Sequence, residues 1–150
     1  AVAEHLVEGG LATLLFDLLT SEEEGVDQYS AELRFDIPML ADRVVAAARW
    51  LSRHPQTRGL PIGAFGASTG GGAAIRADAL HKVCAPTLLI VGGEDTPVIE
   101  MNQDAITLMR CTTRLDIIPG ATHLFEEPGT LEQVATLARN WFLSHLPPTR

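Results

Sequence analysis

The residues that could carry chemistry centre on Gly66-Ala67-Ser68-Thr69-Gly70, which fits the pattern G-x-S-x-G. An apolar run precedes this segment and a short helical pattern follows it. A serine in such a place sits on a strained turn, where small neighbours are needed because the backbone is crowded. The turn exposes Ser68 as a nucleophile at a helix N-terminus, and the backbone amide of Thr69 is the expected oxyanion donor.

A serine nucleophile needs a base, and the base needs an acid that orients it. His123 follows a predicted strand, within Pro119-Gly120-Ala121-Thr122-His123-Leu124-Phe125, and is the candidate base. Asp95 follows another predicted strand and is the candidate acid, with Glu94 as its nearest rival. Three plainer interpretations stay open here: a simple glycine-rich turn at Ser68, a helix-capping or turn aspartate at Asp95, and an ordinary loop histidine at His123.

The remaining candidates offer weaker chemistry. No other histidine has metal-site spacing with cysteine or carboxylate, so we predict no metal and no cofactor. These histidines are expected in helices or at helix ends, on solvated faces: His5, His54, His81 and His145.

Two cysteines and a run of glycines complete the candidates. Cys84 and Cys111 are expected to be buried thiols in a reducing, cytoplasmic setting rather than nucleophiles or a disulfide framework. Gly70-Gly71-Gly72 is similar to a phosphate loop but lacks the following lysine. A nucleotide-binding domain is therefore the weakest of the hypotheses.

Strands and helices must position these side chains, and the apolar patterns predict both. Because near-continuous apolar strands alternate with amphipathic helices, we expect a doubly wound, mostly parallel α/β sheet with helices on both faces. Thr20–Arg34 is expected to be a solvated loop. The predicted strands are Thr13–Leu19, Leu60–Phe65, Pro86–Val91 and Arg114–Ile118. The predicted helices are Ala1–Glu8 (ended by Gly9-Gly10), one from Asp36 to about His54, Ala73–Ala79, about Glu100–Met109 and Leu131–Leu146.

Composition limits the class of protein. The chain has 150 residues, 46% of them apolar and 20% charged, which predicts one globular domain over residues 1–150. It carries 11 basic against 19 acidic residues, a net charge of −8, which argues against nucleic acid and anionic membranes as partners. No apolar run is long enough for a membrane span.

The motif segments resemble the α/β-hydrolase superfamily, and within it the dienelactone-hydrolase-like branch. The resemblance rests on residues 63–71, on residues 85–93 with Asp95, and on residues 119–125. It implies Ser68 as nucleophile, Asp95 as acid and His123 as base, in the superfamily's chain order. Dienelactone hydrolase itself has a cysteine nucleophile, so the serine implies general ester hydrolysis. Some relatives in this branch are joined to phosphoribosyltransferase domains.

The same resemblance implies that strands are absent. The chain starts without Met, as if inside a helix. It lacks the family's first three strands, the strand that follows the nucleophile helix, and the loop that supplies a second oxyanion donor. The interval from Ser68 to Asp95 has room for a single crossover, since a strand-helix-strand unit takes about 30 residues. We expect that residues are missing before Ala1 and between Ala74 and Ala79. A partner chain that supplies strands, or a rearranged fragment, is the alternative.

The leading hypothesis is a serine hydrolase that cleaves small acyl esters without a cofactor. Thioester and peptide substrates follow in that order, and oligomeric state, including a homo-oligomer, stays open. The rival hypothesis is a non-catalytic fragment or assembly module that keeps the triad but lacks a complete oxyanion hole.

Overall fold

The computed structural model describes residues 2–75 and 83–147. The described residues of Ala1–Leu15 and Ala79–His145 form one compact unit, and those of Phe16–Asp78 and Leu146–Arg150 form a second. In chain order the elements are helices α1 (Val2–Glu8) and α2 (Ser21–Ser30), a 3-10 turn (Leu33–Phe35), helices α3 (Ile37–Arg53) and α4 (Thr69–Ile75), strand β1 (Thr87–Gly92), helix α5 (Thr96–Leu108), strand β2 (Thr113–Ile118) and helix α6 (Thr130–His145).

The first unit is built on a parallel pair of strands. β1 and β2 pair in parallel, from Thr87 opposite Thr113 to Gly92 opposite Ile118. Because a parallel pair needs a crossover connection, α5 joins the two strands and packs on both. α6 packs on β1, and α1 packs on α6. The predicted α/β class with a parallel sheet is confirmed in this unit.

The core of the first unit lies directly beneath the end of β2. Ile118, Ala121 and Val134 are buried together, with Phe125 packed against them. Ile118 ends β2 and Val134 belongs to α6, so the loop between them is fixed at both ends by apolar packing.

The second unit is helical in the residues described. α3 begins after Asp36, whose side chain accepts a hydrogen bond from the Met39 amide at 3.0 Å, as the predicted cap requires. α3 packs on α4 and buries Leu40 and Ala41. The predicted end near His54 is also confirmed, since His54 is the C-cap.

The prediction of a loop at Thr20–Arg34 is wrong, because the segment contains α2. Its start is a capping box: the Thr20 side chain accepts from the Glu23 amide, and the Glu23 carboxylate accepts from the Thr20 amide at 2.8 Å. Arg43 of α3 forms a two-pronged ion pair with the same carboxylate. The polar composition that suggested a loop thus belongs to a capped surface helix.

Two of the four predicted strands are also wrong. Residues 11–17 and 61–67 are assigned to neither helix nor strand, and their apolar side chains are exposed, with Leu15 at 84% and Phe65 at 45%. An apolar run becomes a strand only when a neighbouring strand accepts its backbone hydrogen bonds. The two confirmed strands, β1 and β2, satisfy that condition by pairing with each other.

Helix boundaries shift at two functional segments. α4 begins at Thr69, directly after Ser68, rather than at Ala73. The predicted continuation through residues 76–79 lies outside the described residues. α5 begins at Thr96 rather than near Glu100, because Pro97 stands in its first turn, where proline is tolerated. In the described residues no helix is long and apolar enough to cross a membrane.

Candidate active site

Asp95 and His123 come from the two loops that leave the carboxyl ends of the strands. β1 ends at Gly92 and β2 ends at Ile118, and these two residues are register partners. The loops that follow therefore start side by side, at the edge where open α/β sheets place their sites.

Backbone hydrogen bonds join the two loops. The Gly93 amide donates to the Ile118 carbonyl at 2.8 Å, and the Glu94 amide donates to the Ala121 carbonyl at 3.0 Å. Gly92 makes this close approach possible: a Cβ at that position would lie well inside 3.0 Å of the Ala121 and Thr122 carbonyl oxygens. A glycine at the last position of β1 is thus required by packing against the histidine loop.

The two loops bring the candidate acid and base into contact. Nδ1 of His123 lies 2.7 Å from Oδ2 of Asp95. An ionised carboxylate can only accept a hydrogen bond, so a neutral imidazole in this contact would hold its proton on Nδ1. The Asp95 side chain is 16% exposed and that of His123 is 49% exposed, so the acid is the more enclosed partner.

Asp95 also occupies the N-cap position of α5, but its side chain makes no capping hydrogen bond there. The helix-capping alternative is therefore wrong, because the Asp95 carboxylate contacts His123 and does not cap α5. Glu94, the rival acid, contributes its backbone amide to the loop junction.

Sequence reasoning missed Glu127, which follows the histidine loop. Its carboxylate accepts a hydrogen bond from the Thr122 amide at 3.1 Å. Hydrogen bonds from Thr122, the side chain first and the backbone second, lower the pKa of the Glu127 carboxyl. The signal in the sequence was a carboxylate a few residues past the histidine, which is too common a feature to single out.

Ser68 belongs to the second unit and has the strained backbone that the motif requires. Its φ is 51°, in the left-handed region that side chains other than glycine disfavour. A Cβ on Gly66 would lie well inside 3.0 Å of the Gly70 and Gly71 backbone. The Ser68 carbonyl accepts from the Gly72 amide at 3.1 Å, so the serine leads directly into α4.

Thr69 is the first residue of α4 and is half-buried, while Ser68 is exposed. The amides of a helix's first turn have no acceptor within the helix. The Thr69 amide thus lies in the part of a helix that stabilises negative charge.

The remaining histidines in the described residues make contacts with side chains outside the candidate triad. His54 stacks on Trp50 and His145 packs on Trp141, while His5 lies 3.4 Å from the Thr136 hydroxyl. His81 lies outside the described residues. The expected burial of the cysteines is wrong, since Cys84 is exposed and Cys111 is half-buried. Within residues 2–75 and 83–147, no cluster of three or more metal-ligating side chains is found.

A search of protein-family models finds no match. The chain is 50% identical to proteins from two strains of Mycobacterium tuberculosis, each named "Putative phosphoribosyl transferase"; the match covers 97% of this chain and 37% of each relative. The chain therefore spans well under half the length of these relatives. The matched stretch of 167 residues is longer than the chain, so the relatives carry residues within it that this chain lacks.

A solved structure gives the more complete match. The crystal structure of dienelactone hydrolase from Anabaena variabilis superposes with a TM-score of 0.93 at 50% sequence identity, and the match covers 97% of this chain and 78% of that one. Identity at this level over most of both chains reflects shared ancestry as well as a shared fold. The chain belongs to the dienelactone hydrolase family and has its α/β fold.

Proposed function

We propose that the protein is a serine hydrolase that cleaves small carboxylic esters, with Ser68 as nucleophile, His123 as base and Asp95 as the acid that orients it. The observation that carries the proposal is the 2.7 Å contact between His123 and Asp95. It gives the imidazole the tautomer that a general base needs. Membership of a hydrolase family and the strained turn at Ser68 add support.

In the proposed reaction, Nε2 of His123 takes the Ser68 hydroxyl proton as the serine oxygen bonds to the ester carbonyl carbon. The Thr69 amide donates to the oxyanion of the tetrahedral intermediate. The intermediate collapses when the C–O bond to the alcohol breaks and His123 returns the proton to the leaving oxygen. In the second half, His123 takes a proton from a water molecule whose oxygen bonds to the acyl carbonyl carbon. The acid leaves when the bond from that carbon to the Ser68 oxygen breaks and His123 returns the proton to the serine oxygen. Asp95 stabilises the imidazolium in both halves of the reaction.

The test is turnover of a short-chain nitrophenyl ester by wild type and by Ser68→Ala. We expect the variant to lose all measurable turnover, because the covalent intermediate cannot form. Ser52→Ala is a matched control, since this hydroxyl donates to the Arg49 carbonyl at 2.8 Å within α3. Full activity of Ser68→Ala would overturn the assignment. Thioester and peptide analogues in the same assay rank the three substrate classes.

The transferase name of the mycobacterial relatives bears on this proposal. The chain matches 37% of each of those proteins. We assign the transferase name to the part of them that this chain does not match, because the matched part is similar to a dienelactone hydrolase over 97% of this chain. Stabilisation of this chain by a phosphoribosyl donor in a thermal unfolding assay would argue against that division.

A non-catalytic module is the second candidate, and one observation favours it. Residues 11–17 and 61–67 expose apolar side chains. Exposed apolar surface of this kind is typical of a segment that contacts another chain. A fluorophosphonate that labels activated serines distinguishes the two: labelling of wild type but not of Ser68→Ala supports the hydrolase, and a folded wild type that neither reacts nor turns over esters supports the module.

A further inference from the structure

The histidine loop is a short turn with several separate anchors. The Phe125 amide donates to the Thr122 carbonyl at 3.3 Å, so His123 lies inside a tight turn. On its N-terminal side the turn is held by the Glu94 amide on the Ala121 carbonyl. On its C-terminal side Phe125, at a φ of 53°, packs against the buried cluster of Ile118, Ala121 and Val134.

Glu127 supplies the remaining anchor. Its carboxylate accepts from the Thr122 amide, which belongs to the Ala121–Thr122 peptide, one residue before the peptide that joins Thr122 to His123. Its own carbonyl accepts from both the amide and the hydroxyl of Thr130, at 3.1 and 2.7 Å, and Thr130 is buried at the start of α6. Glu127 therefore links the first turn of a long helix to the backbone that carries the imidazole.

Glu127 completes the hold on one peptide group, because the Ala121 carbonyl and the Thr122 amide belong to the same planar unit. The Glu94 amide holds the carbonyl side of that peptide and the Glu127 carboxylate holds its N–H side. The two contacts together fix the orientation of its plane, from which the chain continues through Thr122 to His123. A charged acceptor on that amide makes a stronger hydrogen bond than a neutral one. With the turn fixed in this way, the ring needs little adjustment to place Nδ1 against Asp95.

We propose that Glu127 is a positioning residue for His123, which acts through the Thr122 amide to hold the imidazole against Asp95. The inference rests on the proposed function in its kinetic test, which needs ester turnover. A separate spectroscopic test checks the position of the imidazole without turnover. The proposed role depends on the length of the Glu127 side chain as well as on its charge. A carboxylate one methylene shorter fails to reach the amide, and an uncharged amide of the same length still accepts from it.

The kinetic experiment compares Glu127→Ala, Glu127→Asp and Glu127→Gln, with Glu126→Ala as the control from the adjacent exposed position. We expect kcat for a nitrophenyl ester to fall about tenfold in the Ala and Asp variants with KM little changed, because misplacement of a catalytic group by a fraction of an ångström lowers the rate of chemistry. The kcat of Glu127→Gln should lie between those of the Ala and Asp variants and that of wild type, and the kcat of Glu126→Ala should equal that of wild type. Equal kcat in all four variants would overturn the proposal.

The spectroscopic experiment needs no turnover. The Nδ1 proton of a histidine that donates to a carboxylate gives a downfield proton NMR signal, assigned here by its loss in His123→Gln. We expect the signal to broaden through exchange with water in Glu127→Ala and Glu127→Asp, and to persist in Glu127→Gln and Glu126→Ala. An unchanged signal in a folded Glu127→Ala variant would contradict the proposal. An inactive wild type with the expected signals would instead count against the proposed function alone.

Discussion

Nδ1 of His123 lies 2.7 Å from Oδ2 of Asp95, although 28 positions separate the two residues in the chain. The contact follows from the parallel pairing of β1 and β2, whose last residues, Gly92 and Ile118, are register partners. Each strand delivers one side chain, and the junction between their loops sets the distance. The contact is therefore a consequence of sheet register and loop packing together.

Replacing the acid tests what this contact does. We expect Asp95→Asn to lower kcat by about 10²- to 10⁴-fold, because an amide can donate to Nδ1 and so favours the tautomer in which Nε2 carries the proton. The measurement is steady-state ester hydrolysis, with thermal unfolding as a check on folding. Glu94→Gln is the matched control, since that residue contributes its backbone amide. A larger loss in Glu94→Gln than in Asp95→Asn would reverse the assignment of the acid.

The sequence predicted the elements whose signals are local. β1 contains a continuous apolar run, and β2 alternates polar and apolar residues up to its apolar end. Each strand was predicted within one residue of its observed limits. The Asp36 cap and the end of α1 before two glycines were readable for the same reason. These features depend on residue type and spacing alone.

What the sequence could not predict depends on partners. Residues 13–19 and 60–65 have strand-like composition, but a strand exists only where another strand pairs with it. The helix at Ser21–Ser30 was hidden because its acidic first turn suggests a loop, while Arg43, far along the chain, stabilises it. Glu127 was missed because the Thr122 amide has no signature in the sequence.

The backbone conformation at Ser68 predicts that a side chain at this position lowers the stability of the fold. A φ of 51° disfavours a residue with a side chain, whereas glycine adopts it freely. We expect Ser68→Gly to be more stable than Ser68→Ala by about 1 kcal/mol, with both variants inactive. Chemical denaturation measures the difference.

Ala67→Gly serves as the control for this comparison. Ala67 has no positive φ, so glycine there adds freedom to the unfolded chain and relieves no strain. We expect that variant to be less stable than wild type. A Ser68→Gly variant that proved less stable than Ser68→Ala would rule out strain at this turn.

Gly92 predicts a second glycine effect, with a steric cause. In Gly92→Ala the new Cβ meets the carbonyl oxygens of Ala121 and Thr122, which are backbone atoms that cannot rotate away. We expect a loss of about 1–3 kcal/mol in unfolding free energy, the usual range for overpacking. Activity should fall as well, because the clash pushes the histidine loop away from Asp95.

Gly25→Ala is the matched substitution for that measurement. Gly25 lies inside α2, and a Cβ there meets nothing within 4 Å. Alanine has the higher helix propensity, so this variant should gain up to about 1 kcal/mol. Equal stability of the two alanine variants would contradict the close approach of the loops at Gly92.

The ion pair between Glu23 and Arg43 predicts how stability depends on pH. Hydrogen bonding to Arg43, and then to the Thr20 backbone, lowers the pKa of Glu23 from 4.5 to about 2 in the folded state. A lowered carboxyl pKa means that the folded chain holds the ionised form more tightly than the unfolded chain does. The pair therefore stabilises the fold fully above pH 4.5, and this contribution is lost as the pH falls from there towards 2.

Glu23→Gln isolates the charge, because the amide oxygen can still accept from the Thr20 amide in the capping box. We expect the variant to be less stable than wild type at pH 7 in urea unfolding, and the difference to shrink steadily between pH 4.5 and pH 2.5. Glu24→Gln, an exposed acid in the same turn, should show a smaller difference at every pH. A gap between wild type and Glu23→Gln that stayed constant over this range would mean that Arg43 does not hold the carboxylate in its ionised form.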